Sequence, residues 1–384
     1  MVSHRIAFIY RAIMTFYSPI PAILAINFGW GAKAVGIIAA LTSMGSLFSN
    51  YFWPRYAAKA EKAGVISLGF LGIILGALLL QNSKTLILAV IVMSLLPDAA
   101  YYFLLEGVRR KRGKLSKNVS SFYRSESAGM LGGSVLGAIS SYVLSESFLP
   151  FVLLGASILS VLISMKYLDH LSVEPTPKRG IVEERLVTSK KMKKFGLKYV
   201  GEIGLTRKML PYLFMSGLFS LSFSLIYPQL PVIVEMVFGN ASLFYTFTIL
   251  ARVFGTLAYK LAGSLNHKSF WIGWPIRLLA FLLIAATRFT KWALPVFFLV
   301  AGFGWAFIKT FYGIMNLESG EKLTSLNLVV RSLFYTLGSA VSGTLMVSIG
   351  FVGSALISSL LFFLAPWWLI ATNKNIREKR AQSQ

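Results

Sequence analysis

Apolar windows of roughly 20 residues, each long enough to cross about 30 Å of hydrocarbon, recur along this chain and constrain it more than any other feature. They fall at about 6–27, 35–54, 64–81, 85–105, 119–143 and 149–167, then at 209–236, 243–262, 270–287, 291–311, 323–347 and 351–371. Lipid offers no hydrogen-bond partner to a backbone, so only helices or a closed barrel can occupy such windows. The runs do not alternate apolar and polar residues, which selects helices. The expectation is an all-α membrane protein with 12 transmembrane helices.

Composition agrees. Hydrophobic residues make up 56% of the chain, charged residues 14%, and the mean hydropathy is +0.68, outside the soluble range. There are no cysteines, so disulfides, thiolate metal sites and cysteine nucleophiles are excluded. The histidines are His4, His170 and His267, all near expected helix ends, so neither a metal nor a cofactor is expected.

The net charge of +24 would suit nucleic acid if it lay on one soluble face. Here the basic residues occupy gaps between apolar runs, which makes them a topology signal and argues against a nucleic-acid partner. With the N-terminus cytoplasmic, one side collects Arg5, Arg55, Lys59, Lys62, Arg109 through Lys117, the 169–208 stretch, Lys260, Lys268, Lys309, Lys322 and Lys374 to Arg380. The other side holds Lys33, Lys84, Arg288 and Lys291. The positive-inside rule therefore places both termini in the cytoplasm.

A repeat organises the windows. Tyr17-Ser18-Pro19-Ile20-Pro21 leading to Phe28-Gly29 returns as Tyr227-Pro228-Gln229-Leu230-Pro231 leading to Phe238-Gly239. Each copy ends a Pro-interrupted apolar segment that opens its own half of the chain. A segment with such a counterpart reads as a retained first helix rather than a cleaved signal peptide. The expected units are an N-terminal six-helix bundle (1–168), a basic cytoplasmic linker (169–208), a C-terminal six-helix bundle (209–372) and a basic tail (373–384). Within the linker, Met192–Val200 has the pattern of a basic amphipathic helix, but the favoured reading is a plain charged connector that also fixes topology.

Six plus six spans in parallel halves, joined by a basic loop, resemble the major facilitator superfamily. That family's signature between the second and third helices runs Gly-x-Leu-Ala-Asp-basic-x-Gly-basic. The second half here reads Gly255-Thr256-Leu257-Ala258-Tyr259-Lys260-Leu261-Ala262, and the first Asn50-Tyr51-Phe52-Trp53-Pro54-Arg55. Arg55 and Lys260 keep the basic position of this inner-gate motif, while Pro54 and Tyr259 replace the acid. The resemblance implies that the acidic latch is absent or rebuilt. Arg124-Ser125 with Gly132 and Gly137 parallels Arg331-Ser332 with Gly338 and Gly343, and the Gly-Pro pattern of antiporters is missing. The resemblance further implies a substrate cavity lined by spans 1, 4, 7 and 10, flanked by 2, 5, 8 and 11, and opened by rocking of the halves.

Ionisable groups inside spans are costly and default to functional candidates. Counting at about 1.5 Å per residue, Asp98, Glu126, Arg124 and Arg11 share a depth within the first half, which permits pairing of Asp98 with Arg11 or Arg124. Asp98, preceded by Pro97, is the first candidate for proton coupling. Arg11 and Arg124 also lie close enough to the headgroups to snorkel. Arg252, near the middle of span 8, has Glu126 or an anionic substrate as its natural partner. Arg331 and Lys309 add positive charge to the second half, and Arg277 reads as peripheral and structural. Among uncharged groups, the span-7 serines Ser216, Ser220, Ser222 and Ser224 offer a polar lining. Tyr17, Tyr227 and Gln229 stand out because prolines break the helix beside them.

The leading expectation is a secondary active transporter of a small organic solute, monomeric, in the plasma membrane, with the proton as candidate coupling ion. The alternative is a transporter-fold binding or sensing protein without turnover. An enzyme finds no support, since no nucleophile elbow, metal spacing or phosphate loop occurs.

Overall fold

A computed structural model describes residues 2–56, 62–97, 115–172, 210–318 and 321–381. Helix fills the described part of every apolar window, and no strand occurs among the described residues. Seven helical stretches are long and apolar enough to cross a membrane. Two of these, Leu243–Ala286 (44 residues) and Leu326–Trp367 (42 residues), are long enough for two crossings and turn at Asn266 and at Gly350. The chain is a multi-pass membrane protein.

The first half contributes α1 (Val2–Tyr17), α2 (Ile20–Asn27), α3 (Gly31–Tyr56), α4 (Lys62–Leu79), α5 (Leu86–Leu95), α6 (Leu115–Val143) and α7 (Leu149–Ser172). The second contributes α8 (Leu210–Ser224), α9 (Leu230–Phe238), α10 (Leu243–Leu265), α11 (Ser269–Ala286) and α12 (Ala293–Glu318). It ends with α13 (321–349) and α14 (351–381), separated at Gly350, whose φ of 72° no helical residue adopts.

The repeated segment behaves alike in both halves. Pro19 and Pro21 divide α1 from α2, and Pro228 and Pro231 divide α8 from α9, because proline removes a backbone donor and crowds the preceding turn. The copies end alike as well. Gly29 and Gly239 sit at φ +72° and +71°, the left-handed region where a Cβ is strained. The second break differs in detail, with a 3₁₀ turn over Tyr227–Gln229 that the first lacks.

Within the first half α1 packs on α6 and α7, and α4 on α5 and α7; in the second, α8 packs on α13 while α12 packs on α10 and α11. Two seams join the halves, α3 against α13 and α6 against α10, with smaller contacts of α12 on α6 and α9 on α2. The α3–α13 seam is close because it is made of small residues. A Cβ on Gly36 would come within 2.9 Å of the Gly343 backbone nitrogen and of the Ser339 carbonyl. Hydrogen bonds join the halves at and beside these seams: Ser43 Oγ donates to the Ser332 carbonyl (3.0 Å), Thr256 Oγ1 to Ser127 Oγ (2.8 Å), and Tyr245 Oη of α10 to the Phe16 carbonyl of α1 (2.6 Å).

Candidate functional site

Glu126 is the centre of the charge arrangement. It lies on α6 with 0% of its surface exposed. Arg11 Nε of α1 donates to its Oε1 at 2.8 Å, and Lys309 Nζ of α12 donates to its Oε2 at 2.6 Å. Arg11 belongs to the same half as Glu126; Lys309 belongs to the other. The carboxylate therefore ties the two halves together in the interior, where a buried charge is tolerated only when paired on every side. Lys309 also stands 4.2 Å from the centre of the Tyr123 ring, one turn before Glu126 on α6.

Sequence depth foreshadows this cluster. Arg11 follows the start of α1 at Val2 by nine residues, Glu126 that of α6 at Leu115 by eleven, and Lys309 precedes the end of α12 at Glu318 by nine. Lys309 appeared in the sequence as general positive charge; matching its depth to Glu126 was the available signal. The expected pairing of Arg252 with Glu126 is not formed. Arg252 is half-buried on α10, its carbonyl accepts from Ser127 Oγ at 3.4 Å, and its buried Nε has no hydrogen-bond partner.

Other candidates distribute as follows. Arg331 donates from Nε to Ser220 Oγ at 3.4 Å and lies over the Tyr312 ring. Arg124 is exposed and turned away from the cluster. Asp98 lies outside the described residues. Arg277, read from sequence as peripheral, is 4% exposed; it donates to the Ala301 carbonyl at 2.8 Å and stacks on Phe223, Phe281 and Trp305. Its burial follows from α11 packing against α12, which turns that face inward.

Gln229 is a seam residue. Its Nε2 donates to the Ala32 carbonyl across the halves (3.1 Å) and to Ser342 Oγ (3.0 Å). Tyr17 is buried, and half-buried Tyr227 stacks on Phe223 with ring centres 4.5 Å apart. The span-7 serines serve packing in part: Ser222 Oγ donates to the Ser358 carbonyl of α14 at 2.7 Å.

The worn signature motif gains a physical reading. Lys260 is exposed, and the side chain of Arg55 lies outside the described residues. Tyr259, at the position of the family's acid, is buried with its ring centre 5.9 Å from that of Tyr123 in the other half. An aromatic contact thus spans the seam where the family uses a carboxylate.

Two solved structures superpose on nearly the whole chain. The human organic anion transporter MFSD10 (TETRAN) is 14% identical with a TM-score of 0.67, covering 96% of this chain and 98% of that one. The nucleoside transporter NupG is 13% identical with a TM-score of 0.69, covering 97% and 98%. The fold is a transporter fold. A fold of this kind is what the sequence resemblance implied. No protein-family model and no curated protein matches the chain.

Proposed function

We propose that the protein is a secondary active transporter of a small organic solute, working as a monomer by alternating access. In this reading twelve spans form bundles over 1–168 and 209–372, joined by a cytoplasmic linker (169–208), with both termini cytoplasmic and the plasma membrane as its site. The observation that carries the proposal is the buried Glu126 held by Arg11 from its own half and Lys309 from the other.

When the halves part, the Glu126–Lys309 contact must break. Separating two charges in a poorly polarisable interior is costly unless another charge replaces the lost partner. A proton arriving at Glu126 neutralises it and frees Lys309, which then requires an anion or water. Glu126 therefore joins Asp98 as a coupling carboxylate, and both structural neighbours bear the names of transporters.

The test is solute flux in proteoliposomes under an imposed pH gradient, comparing the parent with Glu126→Gln and Asp98→Asn. Gradient-driven flux that collapses in either variant is expected. Undiminished coupled flux in both would remove the carboxylates from the mechanism.

A second reading, a binding or sensing protein without turnover, is favoured by the loss of the acidic latch and the Tyr259–Tyr123 contact in its place. Saturable ligand binding with no flux under any gradient would select it.

A further inference from the structure

One helical turn beyond the Glu126 cluster lies a second layer of side chains that the ion pairs do not use. Phe223 follows the start of α8 at Leu210 by thirteen residues, and Tyr335 follows that of α13 at Glu321 by fourteen. Trp305 and Arg252 each precede the ends of their helices, Glu318 and Leu265, by thirteen. At about 1.5 Å per residue, all four sit near one level, about 20 Å from the helix ends that carry Lys260 and Lys268.

Phe223 and Trp305 of this layer stack together with Tyr227, one turn beyond Phe223 on the chain. Phe223 is stacked between Tyr227 (centres 4.5 Å apart, planes 23° apart) and Trp305 (5.6 Å, 14°), with Tyr335 tilted against it at 6.3 Å. Every ring in the group is half-buried. Phe223 touches α11, α12 and α13 through Arg277, Trp305 and Tyr335, so it faces the bundle interior rather than lipid. Their partly exposed faces are turned toward the interior between these helices. Such faces are flat and apolar, the kind of surface on which an aromatic ligand ring stacks.

The charge at the same place is unbalanced. Arg11, Lys309, Arg252 and Arg331 lie in these two layers, and Arg277 stacks on the rings themselves. Among the described residues, Glu126 is the sole carboxylate at this level, and it is engaged by Arg11 and Lys309. Arg252 lies within electrostatic range of both Lys309 and Arg277, and its buried Nε has no hydrogen-bond partner. Excess positive charge inside a membrane calls for an anion, and a planar guanidinium is built for a carboxylate or phosphate.

Resting on the transporter reading above, we propose that the central site binds an organic anion bearing a flat ring. Its oxyanion is received by Arg252, and its ring extends the Tyr227–Phe223–Trp305 stack. Arg331, bonded to Ser220 near Tyr312, supplies further positive field without being the primary contact. The chemical class joins two features that a neutral sugar or an organic cation does not satisfy together: negative charge and a planar apolar face.

The experiment uses the full chain in lipid nanodiscs, with binding read by calorimetry and by quenching of tryptophan fluorescence. The probes are a series of aromatic carboxylates and aryl phosphates of one to three rings. Each is paired with its neutral amide or alcohol, its amine, and an aliphatic anion of similar size. At least one aromatic anion is expected to bind at least tenfold more tightly than its neutral, cationic and aliphatic counterparts. Arg252→Gln is expected to weaken that binding at least tenfold, Arg252→Lys less, and Trp305→Leu to remove the preference for the ring over the aliphatic anion. Circular dichroism and size exclusion confirm that each variant is folded.

Equal binding of anion and amide, or unchanged affinity in a folded Arg252→Gln protein, overturns the proposal. Its failure is separable from failure of the transporter reading. Anion binding without flux retains this site and sinks turnover, whereas flux of a neutral or cationic solute with no anion binding retains turnover and sinks this site.

Discussion

Replacing Lys309 by Met tests the cross-half ion pair directly. In the present arrangement Lys309 Nζ is 2.6 Å from Glu126 Oε2, a carboxylate with no exposed surface. The substitution keeps an unbranched side chain only one atom shorter and removes the charge. Arg11 still holds Oε1 at 2.8 Å, so Glu126 retains one partner and the full penalty of an orphaned buried charge, about 3–5 kcal/mol, does not apply. What is lost is one charge-assisted hydrogen bond, about 1.5–3 kcal/mol net. Because that bond exists only while the halves meet at this depth, its loss destabilises the closed arrangement relative to one in which they part. A change of about 2 kcal/mol shifts such an equilibrium by a factor of about 30.

The absence of cysteine makes the measurement clean. Spin labels at Lys117 of α6 and Lys268, beside α11, both exposed, report the distance between the halves at the end that carries these residues. Lys309→Met is expected to populate longer distances, and Glu126→Gln to do the same. In the double variant the effects should fail to add, leaving a coupling of at least about 1 kcal/mol. An unchanged distance distribution with a lowered unfolding temperature would refute the gating argument. The pair would then be structural cement and nothing more.

Arg124→Gln, altering an exposed arginine outside the cluster, is expected to leave solute flux within about twofold of the parent and to shift stability by no more than about 0.5 kcal/mol, read by thermal unfolding. Gly343→Leu should prevent normal assembly, because Gly36 and the α3 backbone lie against Gly343; detergent size exclusion would show aggregation, and a well-folded variant would disprove the close packing. Tyr245→Phe removes the hydroxyl that donates to the Phe16 carbonyl and should cost about 0.6–1.7 kcal/mol, the range seen for hydrogen bonds between helices in membranes.

Much of this architecture was written along the chain. The apolar windows named the helices because lipid admits only helices or closed barrels and the runs do not alternate, and the described residues carry helix in each window. The prolines of the repeated segment located both helix breaks, since a missing N–H acts wherever the residue stands. The paired Phe-Gly endings, read in the sequence as marks of the repeat, both place glycine in the left-handed region, at Gly29 and Gly239.

Partnership was another matter. Apolar windows record depth but not azimuth, so Glu126 was seen as ionisable at the right level while its partners remained open. Packing of α1 against α6, and of α12 against the same helix, decided that Arg11 and Lys309 close on it. The same packing turned Arg277 inward onto Phe223 and left Arg124 exposed, although both arginines looked alike as letters within an apolar run. Tyr259 shows the division most clearly. Its identity marked the loss of an acid, and only the approach of α10 to α6 made it a ring packed on Tyr123. Hydrophobicity and backbone chemistry act locally and can be read in order; ion pairs and ring stacks depend on which helix faces meet, and that is settled only when the helices assemble.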